Sequence, residues 1–137
     1  MTANDGKPGA LVLRVARPTN QLEALADMYV RGLGFQVLGA FQDHDGFDGV
    51  LLGHPRQPYH LELTHRHGHA VPTRPDPEQL LVFYLPDRDV WSATCTRMLD
   101  AGFRPVHSCN PYWDRQGRSF EDLDGHRIVL QNACWER

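Results

Sequence analysis

Cysteine is scarce in this sequence and is not arranged for a disulfide framework. The 137 residues include three cysteines, an odd number, and no C-x-x-C pair occurs. The three are widely spaced, at Cys95, Cys109 and Cys134. A secreted disulfide scaffold is therefore not expected, and a reducing cytoplasm is the simplest setting for the protein.

Neither an excess of basic residues nor a long apolar run is present. Fourteen Lys and Arg against 17 Asp and Glu give a net charge of −3, which leaves no electrostatic footprint for DNA, RNA or an anionic membrane. No stretch approaches the roughly 18 apolar residues that a membrane-spanning helix needs. The opening residues MTANDGKPGA lack the apolar core of a signal peptide, so we predict a flexible tail over residues 1–9.

Motifs for a serine nucleophile or a nucleotide are missing as well. The sequence has no G-x-S-x-G, no P-loop and no dinucleotide-binding glycine pattern. Cys95 falls on the apolar stripe of a predicted helix, where a cysteine is better read as core than as a nucleophile.

What the sequence does contain is a repeat that spans about half its length. TNQLEALADMYVRGLGF follows Pro18, and DRDVWSATCTRMLDAGF follows Pro86. Each segment has apolar residues at helical spacing and then a glycine followed by phenylalanine. The interval from Pro18 to Phe35 equals that from Pro86 to Phe103, 17 positions, and the two copies are offset by 68. We therefore predict two related helices.

The start of each helix is marked by residues that cap helices well. Thr19 or Asn20 is the predicted N-cap of the first helix, and Asp87 or Asp89 that of the second. Apolar runs of strand length flank both helices. The predicted strands are residues 10–16, 35–41, 48–53 and 59–64 in the first half, and 80–86, 104–107, 118–122 and 126–132 in the second.

The order of these elements divides the chain into two equivalent modules. Each half reads strand–helix–strand–strand–strand, over residues 10–65 and 79–132. Residues 66–78 hold three prolines and no periodicity, so we interpret them as a linker. Residues 133–137 are left as a C-terminal tail.

These features resemble the vicinal oxygen chelate superfamily, the group of glyoxalase I, bleomycin-resistance proteins and extradiol dioxygenases. The resemblance rests on the paired modules, the Gly-Phe after each helix, the LELT strand that closes the first half and the D-x-D-G turn near the end of the second. It covers about residues 10–132. It implies an α+β fold in which two βαβββ modules form curved mixed sheets around a cup-shaped cavity. One fold can host unrelated activities, so the resemblance does not by itself name a function.

Metal-using members of the superfamily place four ligands inside the cup, one on the first and one on the last strand of each half. On this sequence the four positions are occupied by Ala10, Glu62, Leu80 and Val129. Three of these offer no lone pair, and one carboxylate does not hold a transition metal against water. We therefore expect no tightly bound metal, while a weak divalent-metal site that uses His60 with Glu62 stays open.

Strand alternation sorts the histidines of YHLELTHRHGH, residues 59–69. If Glu62 points into the cup, His60 does too. The pair is either a satisfied polar contact or a ligand-binding pair, since a carboxylate beside an imidazole suits general base work. The strand is predicted to end before the later histidines, so we interpret HRHGH as a solvated loop.

The same alternation adds further side chains to the cup. Arg14 on the first strand must pair with Glu62 or with an anionic ligand. Tyr84 and Gln131 face the cavity from the second half, although core packing with a satisfied hydroxyl is slightly favoured for Tyr84. Arg127 shares their face but is predicted at a solvent-exposed rim.

A loop in the second half is rich in aromatic residues. CNPYWDRQG, residues 109–117, carries Tyr112 and Trp113. Loop aromatics of this kind either line a pocket or interface or plug a core. We include both as candidate ligand-binding residues.

Three functions compete for this arrangement. The leading hypothesis is a binder of a small organic molecule, without a tightly bound metal, in the manner of bleomycin-resistance proteins. The alternative is an enzyme, a lyase or isomerase that uses His60 and Glu62 as acid and base, or a dioxygenase relative. The third is a regulatory or structural partner with a vestigial cup. The family also implies a homodimer, because members of this size complete the groove across a two-fold axis.

Overall fold

The computed structural model describes residues 9–135, a span with eight strands and three helices. Residues 1–8 and 136–137 lie outside the described residues, and with them most of the predicted N-terminal tail and the end of the C-terminal one. Within residues 9–135, no helix combines the length and apolar character needed to cross a membrane. The elements are β1 (Leu13–Pro18), α1 (Leu22–Leu33), β2 (Gln36–His44), β3 (Phe47–Gly53), β4 (Tyr59–Arg66), β5 (Leu80–Tyr84), α2 (Arg88–Asp100), β6 (Arg104–Val106), α3 (Tyr112–Arg115), β7 (Gly117–Glu121) and β8 (Arg127–Gln131).

The first four strands form a mixed sheet in the order β1-β4-β3-β2. β1 runs parallel to β4, with Arg14 opposite His60, and the other pairs are antiparallel. A parallel pair needs a crossover connection, and α1 with the two strands that follow supplies it. α1 ends at Gly34, whose φ of 72° is a conformation that glycine adopts without strain.

The last four strands repeat this arrangement in the order β5-β8-β7-β6. β5 is parallel to β8 and the remaining pairs are antiparallel. The N-terminus of α2 is capped by Asp87, whose carboxylate accepts hydrogen bonds from the N–H groups of Asp89 and Val90, as predicted. Two four-stranded mixed sheets with the same strand order confirm the α+β fold of two βαβββ modules.

The chain divides into two compact units, residues up to 30 with 34–72 and residues 31–33 with 73 onwards. In the first, α1 buries Leu25 and Tyr29, and β4 buries Leu61 and Leu63. These two leucines alternate with His60 and Glu62 along the strand, so the sheet has one apolar face and one polar face. We call the second of these the Glu62 face.

The second unit separates its faces in the same way. Phe120 of β7 and Ile128 and Leu130 of β8 are buried. Trp91 of α2 donates its ring N–H to the carbonyl of Leu130 at 2.8 Å, which fixes the helix against this apolar side. The opposite side, which carries Glu121, is called the Glu121 face.

β1 departs from the prediction at both ends, since it begins at Leu13 and extends through Pro18. Leu13 and Thr19 donate their N–H groups to the carbonyls of Pro58 and Thr64. Donors alternate along a strand, so the nitrogen of Pro18 points away from β4. Proline therefore costs no ladder bond at this edge of the sheet, and the strand continues two residues beyond its predicted end at residue 16.

Two further local predictions were wrong, and one short helix was missed. The N-cap of α1 is Gln21, and the hydroxyl of Thr19 instead accepts a hydrogen bond from the Gln21 N–H at 3.0 Å. β4 runs as far as Arg66, so His65 lies on the strand and not in a loop. α3 was not foreseen, because four residues are too few to show a helical period.

Candidate ligand-binding site

Arg14, His60 and Glu62 come together on the Glu62 face. Parallel pairing sets Arg14 beside His60 and Ala16 beside Glu62, and partners in a sheet project to the same side. The Nε of Arg14 donates to Nε2 of His60 at 2.9 Å. Its Nη1 lies 3.6 Å from Oε2 of Glu62. One guanidinium therefore contacts both an imidazole and a carboxylate.

The hydrogen bond from Arg14 fixes the state of the His60 ring. An arginine is always a donor, so Nε2 of His60 must offer a lone pair and its ring proton must sit on Nδ1.

Solvent reaches this group from one side. The side chain of Arg14 is 49% exposed and that of Glu62 is 18% exposed. An ion pair that is half open to water contributes only about 1 kcal/mol. Glu62 is accessible rather than deeply buried, which counts against a vestigial face without room for a ligand.

Apolar side chains continue the Glu62 face on the neighbouring strands. Leu51 of β3 lies opposite Glu62, and Phe41 of β2 lies opposite Gly49. The ring of Phe41 occupies the space above Gly49, where any side chain would collide with it. The face therefore offers a charged and hydrogen-bonding end on β1 and β4 and an apolar area on β2 and β3, a combination common in small-molecule sites.

The other predicted site residues lie in the second unit. Tyr84 and Gln131 are cross-strand partners on the Glu121 face. Gln131 is 3% exposed, and its Oε1 has no hydrogen-bond partner. Trp113 lines a small cavity of about 110 Å³ together with Leu80. Tyr112 is half exposed and contacts the Trp113 ring edge-on, with centroids 4.9 Å apart.

Arg127 does not lie at a solvent-exposed rim, so that prediction was wrong. Its side chain is 13% exposed and its Nε donates to Oε2 of Glu121 at 3.1 Å. Its Nη1 donates to the carbonyl of His107 at 3.1 Å. Arg127 thus joins the Glu121 face to the loop between β6 and β7.

Glu121 itself was missed by the sequence reasoning. It lies opposite Arg127 across the hairpin that joins β7 and β8, and Arg74 and Arg104 also contact it. Burial raises the pKa of Glu121, but the hydrogen bonds from Arg104 and Arg127 outweigh it and hold the pKa below the usual range. The signal in the sequence was the D-x-D-G turn, which sets the register that pairs these residues.

The histidines beyond Thr64 make local contacts. Nε2 of His67 lies 2.8 Å from Asp48, and its Nδ1 lies 3.5 Å from Asp43. The backbone N–H of Asp43 and the ring of His67 hold the pKa of Asp48 below its usual range. His65 contacts the carbonyl of Thr19 at 3.1 Å. These contacts shape the β2–β3 hairpin and its neighbourhood.

The register of the strands corrects one of the four metal-ligand positions. Thr19 donates to Thr64 in the first module as Leu85 donates to Gln131 in the second. Counting back five residues from each donor leads to Arg14 and Leu80. Arg14, not Ala10, is therefore the counterpart of Leu80, and Ala10 lies ahead of β1.

These residues do not fit a resident metal at the family position. Arg14 brings a positive charge next to Glu62 where a ligand would have to donate electrons, and Leu80 and Val129 have no donor atoms. Among residues 9–135, no group of three or more His, Cys, Asp and Glu side chains is arranged to hold a metal ion.

The chain has two βαβββ modules, each with the strand order 1-4-3-2, and the closing strand of the first carries a polar face. This is the fold of the vicinal oxygen chelate superfamily. The chain belongs to the YycE-like family, because residues 13–64 match its N-terminal domain and residues 78–132 its C-terminal domain.

A close relative is the uncharacterized protein YycE of Bacillus subtilis, 41% identical over 124 residues, which cover 90% of this chain and 89% of the relative. The crystal structure of YycE superposes with a TM-score of 0.85 at 40% identity and covers 93% of each chain. YycE is a protein of unknown function for which a glyoxalase or fosfomycin-resistance role has been suggested.

More distant solved structures share the fold. Glyoxalase I of Leishmania major, a trypanothione-dependent enzyme, has a TM-score of 0.68 at 17% identity over 91% of this chain and 88% of its own. The antibiotic-binding protein TnmS3 from a Streptomyces strain has a TM-score of 0.62 at 24% identity over 91% and 97%. The fold therefore serves both an enzyme and a binding protein.

Proposed function

We propose that this protein binds a small organic molecule on the Glu62 face without a tightly bound metal. The observation that carries the proposal is the contact of one half-exposed guanidinium, that of Arg14, with both His60 and Glu62. The group is open to solvent and lies beside an apolar area. If these three side chains only stabilised the fold, we would expect the Arg14 guanidinium to be buried against Glu62 and not half exposed.

The chemistry of the face limits what it can bind. Arg14 uses one N–H on His60 and approaches Glu62 with another group, so further donors remain for a carboxylate or carbonyl oxygen of a ligand. Phe41 and Leu51 suit the apolar body of the same molecule. The antibiotic-binding activity of TnmS3 supports a binding function of this kind, whereas the glyoxalase assignment suggested for YycE supports an enzyme.

An acid–base enzyme is the second candidate, and one feature favours it. His60 and Glu62 are two Brønsted bases held by a single cation, and a substrate that displaced Arg14 would free the lone pair that His60 offers it. Lyase or isomerase chemistry needs such a pair next to a substrate carbonyl. If the protein only binds its ligand, the ligand is released chemically unchanged. If it is an enzyme, the ligand is converted to a product.

A thermal-shift screen of small organic molecules and divalent cations tests the proposal. A ligand present at 100 times its Kd stabilises the folded state by about 2.7 kcal/mol, which corresponds to a melting-temperature increase of about 9 °C at this size. We expect Glu62→Gln to abolish the shift caused by an organic hit while changing the melting temperature of the free protein by little.

The matched control is Glu23→Gln, which removes an exposed carboxylate from α1 of the same module and should keep the full shift. One-dimensional NMR of each hit over a day separates binding from turnover. A screen in which only divalent cations stabilise the protein, with the effect lost in Glu62→Gln, would reject a metal-free site.

We also propose that the protein is a homodimer. The first module exposes the large apolar side chains of Leu11 and Leu13 at the β1 edge of its sheet and of Val37 and Leu38 at the β2 edge, and an apolar sheet edge can pair with a second copy of the chain. Light scattering at micromolar concentration should give about twice the chain mass of 15.6 kDa. A monomer at every concentration tested would show that these side chains serve no self-association.

A further inference from the structure

Glu121 is surrounded by more positive charge than its own neutralisation requires. Arg127 donates to its Oε2 at 3.1 Å. Its other oxygen, Oε1, accepts from Arg74 at 3.3 Å and also from Arg104. Among residues 9–135, Glu121 is the carboxylate with which both Arg74 and Arg104 form ion pairs. One negative charge therefore faces three positive ones.

Burial divides these arginines into two kinds. Glu121 and Arg127 are 8% and 13% exposed, so they form an interior pair that satisfies itself. Arg74 and Arg104 are 68% and 67% exposed. Their guanidinium groups meet at the same carboxylate oxygen while most of their surface remains in water. Glu121 attracts both guanidinium groups, while their mutual repulsion opposes holding two cations at one oxygen, so a further anion between them would stabilise the arrangement.

The three elements that carry the group hold it in place. Arg104 and Arg127 lie on the strands that flank β7, each opposite Glu121 in the register. Arg74 reaches the group from the segment before β5 and lies over Gly125, where a side chain would collide with its guanidinium. Glu121 thus positions two exposed guanidinium groups side by side before any ligand arrives.

From this arrangement we propose that Arg74 and Arg104, held by Glu121, bind a phosphate group, either inorganic phosphate or a phosphate monoester. Each guanidinium has five N–H donors and uses one on Glu121, so several donors remain on each. Three arginines and one glutamate leave two positive charges uncompensated. A phosphate dianion would neutralise both of them, whereas the carboxylate of a ligand would neutralise one. This site lies on the second sheet and does not rest on the function proposed for the Glu62 face.

Isothermal titration of the full-length protein with inorganic phosphate and with phenyl phosphate tests the proposal, at constant ionic strength made up with chloride. We expect saturable binding of at least one of them, weakened about tenfold in Arg104→Gln and in Arg74→Gln, because each variant loses a charge-assisted hydrogen bond. Arg97→Gln, which removes an equal charge from α2 of the same module, should leave phosphate binding unchanged. Tighter binding of phenyl phosphate would identify the monoester as the form recognised, and tighter binding of inorganic phosphate the free ion.

The variants should fold, because Arg127 still pairs with Glu121, and melting curves in chloride check this. If Arg104→Gln does not fold, Arg104→Lys keeps the charge and should retain part of the affinity. Binding of equal strength in Arg74→Gln, Arg104→Gln and the unchanged protein would overturn the proposal. So would the absence of any phosphate response beyond that of chloride.

Discussion

Replacing Glu121 by glutamine should lower the free energy of unfolding by about 3 kcal/mol at pH 7, the lower end of the cost of breaking a buried ion pair. The substitution keeps the shape of the side chain but leaves Arg127 without its carboxylate, and Arg127 is 13% exposed. It also removes the charge that keeps Arg74 and Arg104 together. Urea unfolding followed by circular dichroism measures the difference.

The effect of Glu121→Gln should depend on pH in a defined direction. Arginine hydrogen bonds hold the pKa of Glu121 in the folded protein below the ordinary value of 4.5. A lowered pKa in the folded state adds stability that is fully present above the unfolded value. That stability is lost as the pH falls from about 4.5 through the lower folded pKa. The difference between the unchanged protein and the variant should therefore be constant from pH 7 to about pH 5.5 and shrink below about pH 4.5.

A second glutamate gives the matched control for this experiment. Glu78 is exposed, so Glu78→Gln should change the free energy of unfolding by less than about 0.5 kcal/mol. Equal costs for the two substitutions, or a difference for Glu121→Gln that stays constant down to pH 3, would show that Glu121 does not carry the charge balance described above.

Local sequence signals account for most of the fold. The apolar stripes and terminal glycines of the two helices, Gly34 and Gly102, are determined within a few residues of chain, and so is the cap at Asp87. Alternation along β4 places His60 and Glu62 on the same face because a strand has a fixed period of two. Each of these features depends on neighbours in sequence, which is why the sequence reveals it.

Features that depend on pairing between distant segments were less accessible. The counterpart of Leu80 was misplaced by four residues because β1 continues through Pro18, and only the register with β4 shows this. Glu121 was overlooked because its importance comes from Arg74 and Arg104, which are 47 and 17 residues away. The alternation of residues along a strand shows on which face of the sheet a side chain lies. Which side chains come into contact depends on the register between neighbouring strands, and the sequence does not show that register.

Gly117→Ala should destabilise the protein by about 3 kcal/mol, the upper end of the cost of overpacking. A Cβ at position 117 would lie 2.7 Å from the carbonyl oxygen of Trp113 and 3.1 Å from that of Leu130, and it would also meet the side-chain oxygen of Gln131. Two of these neighbours are backbone atoms, so relief requires α3 or β8 to move. Gly39→Ala is the control: it also lies in a strand, but its nearest neighbour is a leucine methyl at 3.4 Å, and it should cost well under 1 kcal/mol.

A double-mutant cycle shows which neighbour of Gly117 matters. The amide of Gln131 is the far end of a flexible side chain, and its Oε1 has no partner to hold it. The carbonyl of Trp113 belongs to the backbone of α3, so it cannot move without moving the helix. In a Gln131→Ala background, Gly117→Ala should therefore keep more than half of its cost, because the contact with the Trp113 carbonyl remains and contacting residues couple only through the part they share. Full rescue by Gln131→Ala would mean that the close fit lies between two side chains, and that the loop carrying Tyr112 and Trp113 is free to move away from the sheet.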